Sequence, residues 1–175
     1  MTVIRITGMV LTLAASGILG LYLSSLGKFR LQELLEFKKA LLILKSEIEY
    51  VATPLPEAMS NISNRTTKPI SKIFEHYSQA LKNNTEGETA YRLWLISINT
   101  HKQESFLKGD DWEIIENFGK TLGYLDKQMQ VDTINFTTEY IDDQVSKLQE
   151  SNEKNQRMYR SLGVVGGILL LVIFW

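Results

Sequence analysis

The chain has 175 residues, of which 44% are hydrophobic, and its formal net charge is only −1. This length suits one domain, or one domain with appended segments. The near-neutral charge does not favour a nucleic-acid-binding protein, which usually needs a basic excess or stripe. The sequence contains no cysteine, which excludes disulfides, thiol catalysis and cysteine-ligated metal sites.

An uncharged run at 6–26 predicts an N-terminal transmembrane helix. Its roughly 21 residues would span about 31 Å as an α-helix, which matches a hydrocarbon core of about 30 Å. Within the run, Ser16 and Gly20 have the small-xxx-small spacing that lets helices approach closely in lipid. A cleavable signal peptide with Arg5 in its n-region is the alternative, but no clear Ala-x-Ala site follows the run.

The segment from 28 to 52 predicts a first helix, continuous or nearly so with the N-terminal span. Its apolar residues alternate at spacings of three and four, which is typical of the seam of an antiparallel bundle or coiled coil. Leu35 and Leu42 would widen this face toward a globular core. The seam consists of Leu34, Phe37, Leu41, Leu44, Ile48 and Val51.

The stretch "TPLPEA" at 53–58 predicts a turn into a short second helix near 54–64. In one interpretation Thr53 caps this helix and Pro54 takes its first position, where a missing N–H costs nothing. In the other, Pro56 takes the first position and 53–55 form the turn.

Three further helices follow, at about 69–83, at about 88–100 and after the "KGDD" motif. The third helix opens after Thr67-Lys68-Pro69, and Asp110 or Asp111 can cap the fifth. Gly123 is the expected C-terminal stop of the fifth helix. The predicted inward faces are Ile70, Ile73, Phe74, Tyr77 and Leu81; then Tyr91, Trp94, Leu95 and Ile98; then Trp112, Ile115, Phe118 and Leu122.

Asp126 can start a sixth helix that runs unbroken toward the C-terminus and lies antiparallel to the first. Its apolar stripe fades at about 149, and 149–160 is polar all round, which predicts a solvated stalk or a partner surface. Asn152 and Asn155 continue the seam line and could pair with a second chain or with the start of the first helix, or could face solvent. The seam consists of Val131, Ile134, Ile141, Val145 and Leu148.

A second uncharged run at 162–175 predicts a C-terminal transmembrane segment. At about 14 residues, or roughly 21 Å, it is short for a span. Gly163 and Gly167 give it a GxxxG motif. A buried core helix is the alternative, although adjacent glycines would weaken a helix in water.

The basic residues that flank both apolar runs lie on the central segment, which therefore faces the cytoplasm under the positive-inside rule. They are Lys28, Arg30, Lys38 and Lys39 after the first run, and Lys154, Arg157 and Arg160 before the second. The predicted organisation is an all-α protein: a transmembrane segment at 1–27, a compact cytoplasmic bundle of about six helices with its stalk at 28–160, and a transmembrane segment at 161–175.

The sequence offers no recognisable catalytic centre. His76 near the third helix and His101 in a loop are the only histidines, and each is expected at a surface or an interface. Asp142 and Asp143 are adjacent on a helix, point about 100° apart and should form a solvated face. Asp110 and Asp111 are explained as a helix cap and a dipole partner. We therefore expect no enzyme, cofactor or metal.

Three stretches carry a resemblance to a known family: "TPLPEA" (53–58), "FGKTLGYLDKQMQ" (118–130) and "KNQRMYRSLGVVGG" (154–167). In this order, with two apolar ends, they resemble the stage III sporulation protein AB family of endospore-forming bacteria. The resemblance covers nearly the whole chain. Such proteins are similar to the cytoplasmic domains of the type II secretion inner-membrane F protein, which are small helix bundles.

The resemblance implies a scaffold in the secretion-like channel between mother cell and forespore. The protein would sit in the outer forespore membrane with its bundle in the mother-cell cytoplasm. Its expected partners are a secretion-type ATPase similar to stage III sporulation protein AA, other membrane components of the channel and membrane lipid, but not nucleic acid. The resemblance leaves a homo-oligomer as an open alternative.

Within this picture a few residues are candidates for packing and docking, although each could equally serve the fold. Pro54 and Pro56 would fix the first interhelical turn, and Gly119 and Gly123 would permit close packing and exit of the fifth helix. Exposed charge near Glu57, Lys68 or Asp126 is a candidate ATPase-facing surface. The stalk residues Lys154, Arg157, Tyr159 and Arg160 would set how the bundle sits over the lipid.

Two other functions fit parts of the pattern. A two-span sensor would place the helical domain outside the cytoplasm to bind a ligand. A membrane-associated enzyme would require a deep pocket with converging carboxylates or histidines.

Overall fold

A computed structural model describes the backbone at Gly8, 27–123 and 126–174, and the side chains of these residues at 8, 27–123, 126–152 and 154. The chain divides into two compact units. The first is Arg30–Val145; the second combines Met1–Phe29 with Ser146–Trp175.

The described residues form six α-helices and no β-strand, which confirms the predicted all-α fold. A π-helical turn, Glu47–Val51, follows α1, and a 3₁₀ turn, Lys102–Glu104, follows α4. The helices are α1 (27–46), α2 (Leu55–Ser63), α3 (Ile70–Lys82), α4 (Ala90–His101), α5 (Gly109–Gly119) and α6 (Lys127–Phe174).

An aromatic cluster forms the centre of the Arg30–Val145 unit. Trp94 of α4 lies 5.4 Å from Phe74 and 5.1 Å from Tyr77 of α3, measured between ring centroids. Phe37 of α1 and Phe118 of α5 complete the cluster, with ring centroids 6.1 Å apart. Aromatic pairs in this range add to the stability that their buried area provides. The cluster therefore joins four helices in one core.

Helices α4 and α5 approach closely because Gly119 has no side chain. A Cβ atom at Gly119 would lie 1.9 Å from Cδ1 of Trp94, which is far too close for two carbon atoms that are not bonded to each other. The Trp94 indole N–H donates to the Ile115 carbonyl at 2.9 Å, so its buried polar group is satisfied. The glycine and the hydrogen bond together fix the position of the tryptophan.

Helices α1 and α6 are antiparallel neighbours, as predicted. Lys38 Nζ contacts Asp142 at 2.6 Å, and Lys45 Nζ donates to Asn135 at 2.9 Å. Residue numbers rise along α1 as they fall along α6, which defines the antiparallel orientation. Asp142 is thus paired across this boundary as well as solvated.

The predicted seam of α1 is correct at Leu34, Phe37, Leu41 and Leu44, which are all buried. It is wrong at Val51, which is exposed, because the π-helical turn inserts an extra residue per turn and rotates the following positions. Leu35 and Leu42 are exposed as well, since each lies about 100° around the helix from its buried neighbour.

The starts of α2 and α3 lie one residue later than predicted. Pro54 is the N-cap residue of α2, with extended backbone, Leu55 is its first helical residue and Pro56 its second. Neither predicted alternative for this turn is therefore correct. Similarly, Pro69 is the N-cap residue of α3.

In α4, Trp94 and Ile98 are buried as predicted, while Tyr91 and Leu95 are only half-buried. Leu93 and Ser97 are buried instead, because the inward face of α4 is rotated by about 100° from the predicted one. His101 is the last residue of α4 rather than part of a loop.

The predicted inward face of α5 is correct: Trp112, Ile115, Phe118 and Leu122 are all buried. Beyond Gly119, consecutive i→i+3 hydrogen bonds continue as helical turns to Leu122. Gly123, with φ 87° in the left-handed region, ends these turns.

The predicted start of α6 at Asp126 is confirmed. The Asp126 carboxylate accepts a hydrogen bond from the Met129 N–H at 2.8 Å, which is the usual N-cap hydrogen bond.

In the other unit, Asn152 of α6 packs against Gly27. A Cβ atom on that glycine would lie 2.1 Å from Asn152 Oδ1. Of the three predicted environments for Asn152, the structure shows the contact with the start of the first helix. The side chain of Asn155 lies outside the described residues.

Within the described part of the chain, no helix is long and apolar enough to cross a bilayer. Both predicted spans lie outside the residues described with their side chains, apart from Gly8. This includes Ser16, Gly20, Gly163 and Gly167. At 162–174 the structure gives a helical backbone.

Candidate protein-docking site

Helix α1 is joined to α5 by a buried ion pair near the start of the Arg30–Val145 unit. Arg30 Nε and Nη2 donate to the two carboxylate oxygens of Asp111 at 2.7 and 2.9 Å. Asp111 is fully buried and also accepts the Lys108 N–H at 2.8 Å. Breaking such a pair by removing one partner costs about 3–5 kcal/mol. Neither Asp110 nor Asp111 is the N-cap residue of α5, because Lys108 takes that position. Asp111 nevertheless caps the start of the helix from its third position, since its carboxylate accepts the Lys108 N–H, and both aspartates lie in the first turn, as predicted for dipole partners.

A second buried carboxylate of α1 holds the loop before α5. Glu33 accepts hydrogen bonds from the Ser105 hydroxyl and from the Phe106 N–H. Burial raises the pKa of Glu33, and its hydrogen bonds from Ser105 and from the Phe106 and Leu107 backbone partly oppose that rise. At this end of the unit, both buried carboxylates therefore have hydrogen-bond partners within the fold.

The other end of α1 is built differently, around the π-helical turn Glu47–Val51. Ala52 adopts the left-handed conformation at φ 54°, and its N–H donates to the Glu47 carbonyl, which closes the wide turn. The Glu47 side chain is buried and accepts from Thr53 Oγ1 and Asn61 Nδ2. Single π-helical turns occur often at functional sites.

Lys127 of α6 satisfies a carbonyl that this turn leaves open. In a π-helix the Glu49 carbonyl would accept from the N–H five residues later, but that residue is Pro54, which has none. The Lys127 ammonium donates to this carbonyl at 2.6 Å instead. The first turn of α6 is thereby attached to the end of α1.

An open groove lies at this junction. Its lining residues are Glu49, Tyr50, Lys127, Gln128 and Val131.

Tyr50 is a large hydrophobic side chain beside the groove and is 83% exposed. The Glu49 carboxylate has no hydrogen bond or ion pair with any residue that the structure describes, whereas Lys127 is engaged by the Glu49 carbonyl. The groove thus offers an aromatic ring, an apolar floor at Val131 and an unpaired carboxylate. That combination suits recognition of a protein segment rather than bond-making chemistry.

Several predicted site residues are close in sequence to residues that line this groove, although none of them lines it. Pro54, Pro56 and Glu57 belong to the turn and first residues of α2, shortly after Tyr50, and Asp126 immediately precedes Lys127. Glu57 is exposed.

Other predicted residues lie apart from the groove. Gly119 lies against Trp94, and Gly123 ends the coil after α5. Lys154 pairs with Glu150 within α6 at 2.7 Å. The side chains of Arg157, Tyr159 and Arg160 lie outside the described residues.

The sequence did not predict Glu49, Tyr50, Lys127 and Val131 as one group. One signal was available: Pro54 has no N–H, so the carbonyl four or five residues earlier lacks its helical donor. The contact with Lys127 joins residues far apart in the chain, so no local pattern reveals it.

The two histidines meet although they are far apart in sequence. Their ring centroids lie 5.8 Å apart, and His76 Nδ1 is 3.0 Å from Ser97 Oγ. Burial, and then the charge of His101, lower the pKa of His76. Among the described residues, no three His, Cys, Asp or Glu side chains are grouped so as to hold a metal ion.

The fold and groove define a small all-helical bundle protein with a candidate docking site. The family model described as "Stage III sporulation protein AB (spore_III_AB)" matches residues 5–175. The chain therefore belongs to the stage III sporulation protein AB family, which confirms the resemblance drawn from its motifs.

A curated relative and a solved structure agree with this assignment. Stage III sporulation protein AB of Bacillus subtilis (strain 168) is 27% identical over 171 residues, which cover 97% of this chain and 98% of the relative. A solved structure of stage III sporulation protein AB (SpoIIIAB) is similar with a TM-score of 0.65 and 25% identity. That match covers 71% of this chain and 97% of the solved one.

Proposed function

We propose that this protein is a membrane-anchored, non-catalytic platform of the channel between mother cell and forespore. Its bundle docks a cytoplasmic secretion-type ATPase, similar to stage III sporulation protein AA, onto the membrane components of that channel. The apolar runs 6–26 and 162–175 anchor it in the outer forespore membrane, and the bundle lies in the mother-cell cytoplasm. Membership of a sporulation family supports the cellular setting.

The observation that carries the docking role is the groove beside the π-helical turn, with Tyr50 83% exposed at its edge. Exposed aromatic side chains next to a concavity are the residues most often responsible for binding energy at protein interfaces. The groove lies at the end of α1 away from Arg30, roughly 25 Å along the helix. An ATPase bound there contacts the bundle far from Arg30, which lies shortly after the N-terminal apolar run.

The bundle is suited to transmit force because ion pairs and hydrogen bonds join α1 to its neighbours at several points along its length. The Arg30–Asp111 pair, the Glu33 hydrogen bonds and the Lys38–Asp142 pair each join it to a different element. A close-packed interior resists deformation and transmits strain. Motion of a bound ATPase therefore moves α1 as one body.

The docking role is tested by measuring ATPase binding to the full chain in lipid nanodiscs. Tyr50→Ser should weaken binding about tenfold or more, since it removes an aromatic anchor. Ile96→Ser is the matched control, because Ile96 is an exposed apolar residue on α4. If the wild-type chain does not bind the ATPase, the docking role is wrong. If Tyr50→Ser binds like the wild type, the groove is not the docking site.

The proposed topology is tested separately with reporters inserted in the loop between α3 and α4. A cytoplasmic fluorescent reporter at Thr85 should be active, and alkaline phosphatase at the same position should be inactive. The opposite result would place the bundle outside the cytoplasm and support the two-span sensor.

A further inference from the structure

Helix α6 carries a second apolar stripe on the side away from the core. Met129, Phe136 and Tyr140 are 50%, 71% and 41% exposed. With Thr133 between them, their spacing is four, three and four residues, which is the seam spacing of a helix that packs against another helix. The stripe that faces the core uses other positions, among them Ile134 and Ile141. We call the outward set, Met129, Thr133, Phe136 and Tyr140, the α6 stripe.

The α6 stripe lies in an acidic stretch. Between 128 and 146 the chain has four acidic residues and no basic one. Asp142 is paired with Lys38, but Glu139 is exposed and has no ion-pair partner among the residues that the structure describes. Asp132 is exposed and accepts only from Gln128 on its own helix. An apolar seam beside uncompensated carboxylates is complementary to a helix with apolar and basic faces.

A second copy of the chain is a poor occupant. In an antiparallel pairing, heptad packing sets Phe136 against Tyr140 of the other copy. This register has its twofold axis near residue 138. Glu139 lies next to that axis, so it would face Glu139 of the other copy. Like charges at such a position are destabilising.

We propose that the α6 stripe is a docking surface for a basic amphipathic helix of a partner protein. Phe136 is the central anchor, and Asp132 and Glu139 attract the partner's basic side chains. The surface is distinct in residues from the groove at Tyr50. It does not depend on the ATPase as the occupant of that groove, and the two surfaces can be occupied by different partners.

The experiment places a photo-crosslinking amino acid at position 136 of the full chain in sporulating cells. The matched control position is 96, where Ile96 is 43% exposed on α4. The expected result is an adduct from 136 that is absent from 96. Sequencing of the linked peptide should show apolar residues at helical spacing with an excess of Lys and Arg.

Charge reversal distinguishes specific docking from chance proximity. Glu139→Lys should lower the adduct yield about tenfold, because it replaces attraction with repulsion beside the anchor. Glu75→Lys is the control, since Glu75 is exposed on α3. Both positions are exposed, and unchanged circular dichroism of the purified variants verifies that they fold.

Each of three outcomes would overturn the proposal. The first is an adduct that links to a second copy of this chain, to lipid or to an acidic segment. The second is a yield at 136 no higher than at 96. The third is a yield that Glu139→Lys and Glu75→Lys lower equally.

Discussion

At the scale of single residues, the Tyr77 hydroxyl is an unsatisfied group in the middle of the core. The side chain is fully buried, and its oxygen has no hydrogen-bond partner among the described residues. The same burial raises the pKa of Tyr77. A buried hydroxyl without a partner costs about 1–3 kcal/mol of desolvation. The ring itself is well packed, 5.1 Å from Trp94 in an edge-to-face arrangement.

Tyr77→Phe should therefore stabilise the bundle by about 1 kcal/mol, because it removes the hydroxyl and keeps the ring contact. Urea unfolding of the full chain in detergent, followed by tryptophan fluorescence, measures the change in the free energy of unfolding. Tyr91→Phe is the control, since Tyr91 is only half-buried, and it should change little. A loss of stability in Tyr77→Phe would mean that the hydroxyl has a bonding partner, such as a buried water.

At the scale of elements, one lysine attaches the start of α6 to the π-helical turn that follows α1. Lys127 donates to the Glu49 carbonyl, which no backbone N–H of the π-helical turn serves. Lys127→Met keeps most of the aliphatic chain and removes the donor. We expect a loss of about 1 kcal/mol of stability, which is less than the roughly 1.5–3 kcal/mol of a charged hydrogen bond because the site is exposed.

The same urea experiment tests this prediction, with Lys120→Met as the control. Lys120 is exposed in the turn after α5. Amide hydrogen exchange adds a local readout, because Lys127→Met should raise exchange at 47–53 before it affects the aromatic core. Equal effects of the two variants would show that the Lys127 contact contributes nothing to the turn.

The helices differ in how far their buried faces follow from local sequence. Helices with repeated apolar spacing were predicted to within a few residues, and the buried face of α5 was predicted in full, because burial follows local periodicity. Val51 was predicted wrongly because the π-helical turn depends on Ala52 in the left-handed conformation and on a lysine from α6. The Arg30–Asp111 pair joins residues 81 apart, so no local pattern contains it. The candidate groove likewise joins residues that are far apart in the chain, so the sequence does not predict it.

At the scale of the whole molecule, stability should depend on pH through His76. Burial, followed by the nearby His101, lowers its pKa in the folded state below the ordinary value of 6.5. Between the folded pKa and 6.5 the unfolded chain binds more protons, so stability rises with pH in this window and falls as pH drops below about 6.5. Glu33 acts in the opposite direction at lower pH. Its raised pKa means that the folded state binds more protons above 4.5, and stability there falls as pH rises.

The expected result is a lower free energy of unfolding at pH 5.5 than at pH 7.5, because the unfolded chain binds a proton at His76 more readily than the folded chain does. His76→Gln should remove most of this difference, because glutamine does not titrate and can still bond Ser97, whose hydroxyl lies 3.0 Å from His76 Nδ1. Glu33→Gln should leave the difference between these two pH values in place or enlarge it, because it removes the opposing titration. A pH dependence that persists unchanged in His76→Gln would assign it to another group. Stability that rises on acidification in Glu33→Gln, where the opposing titration is removed, would mean that burial does not disfavour the charged imidazole of His76.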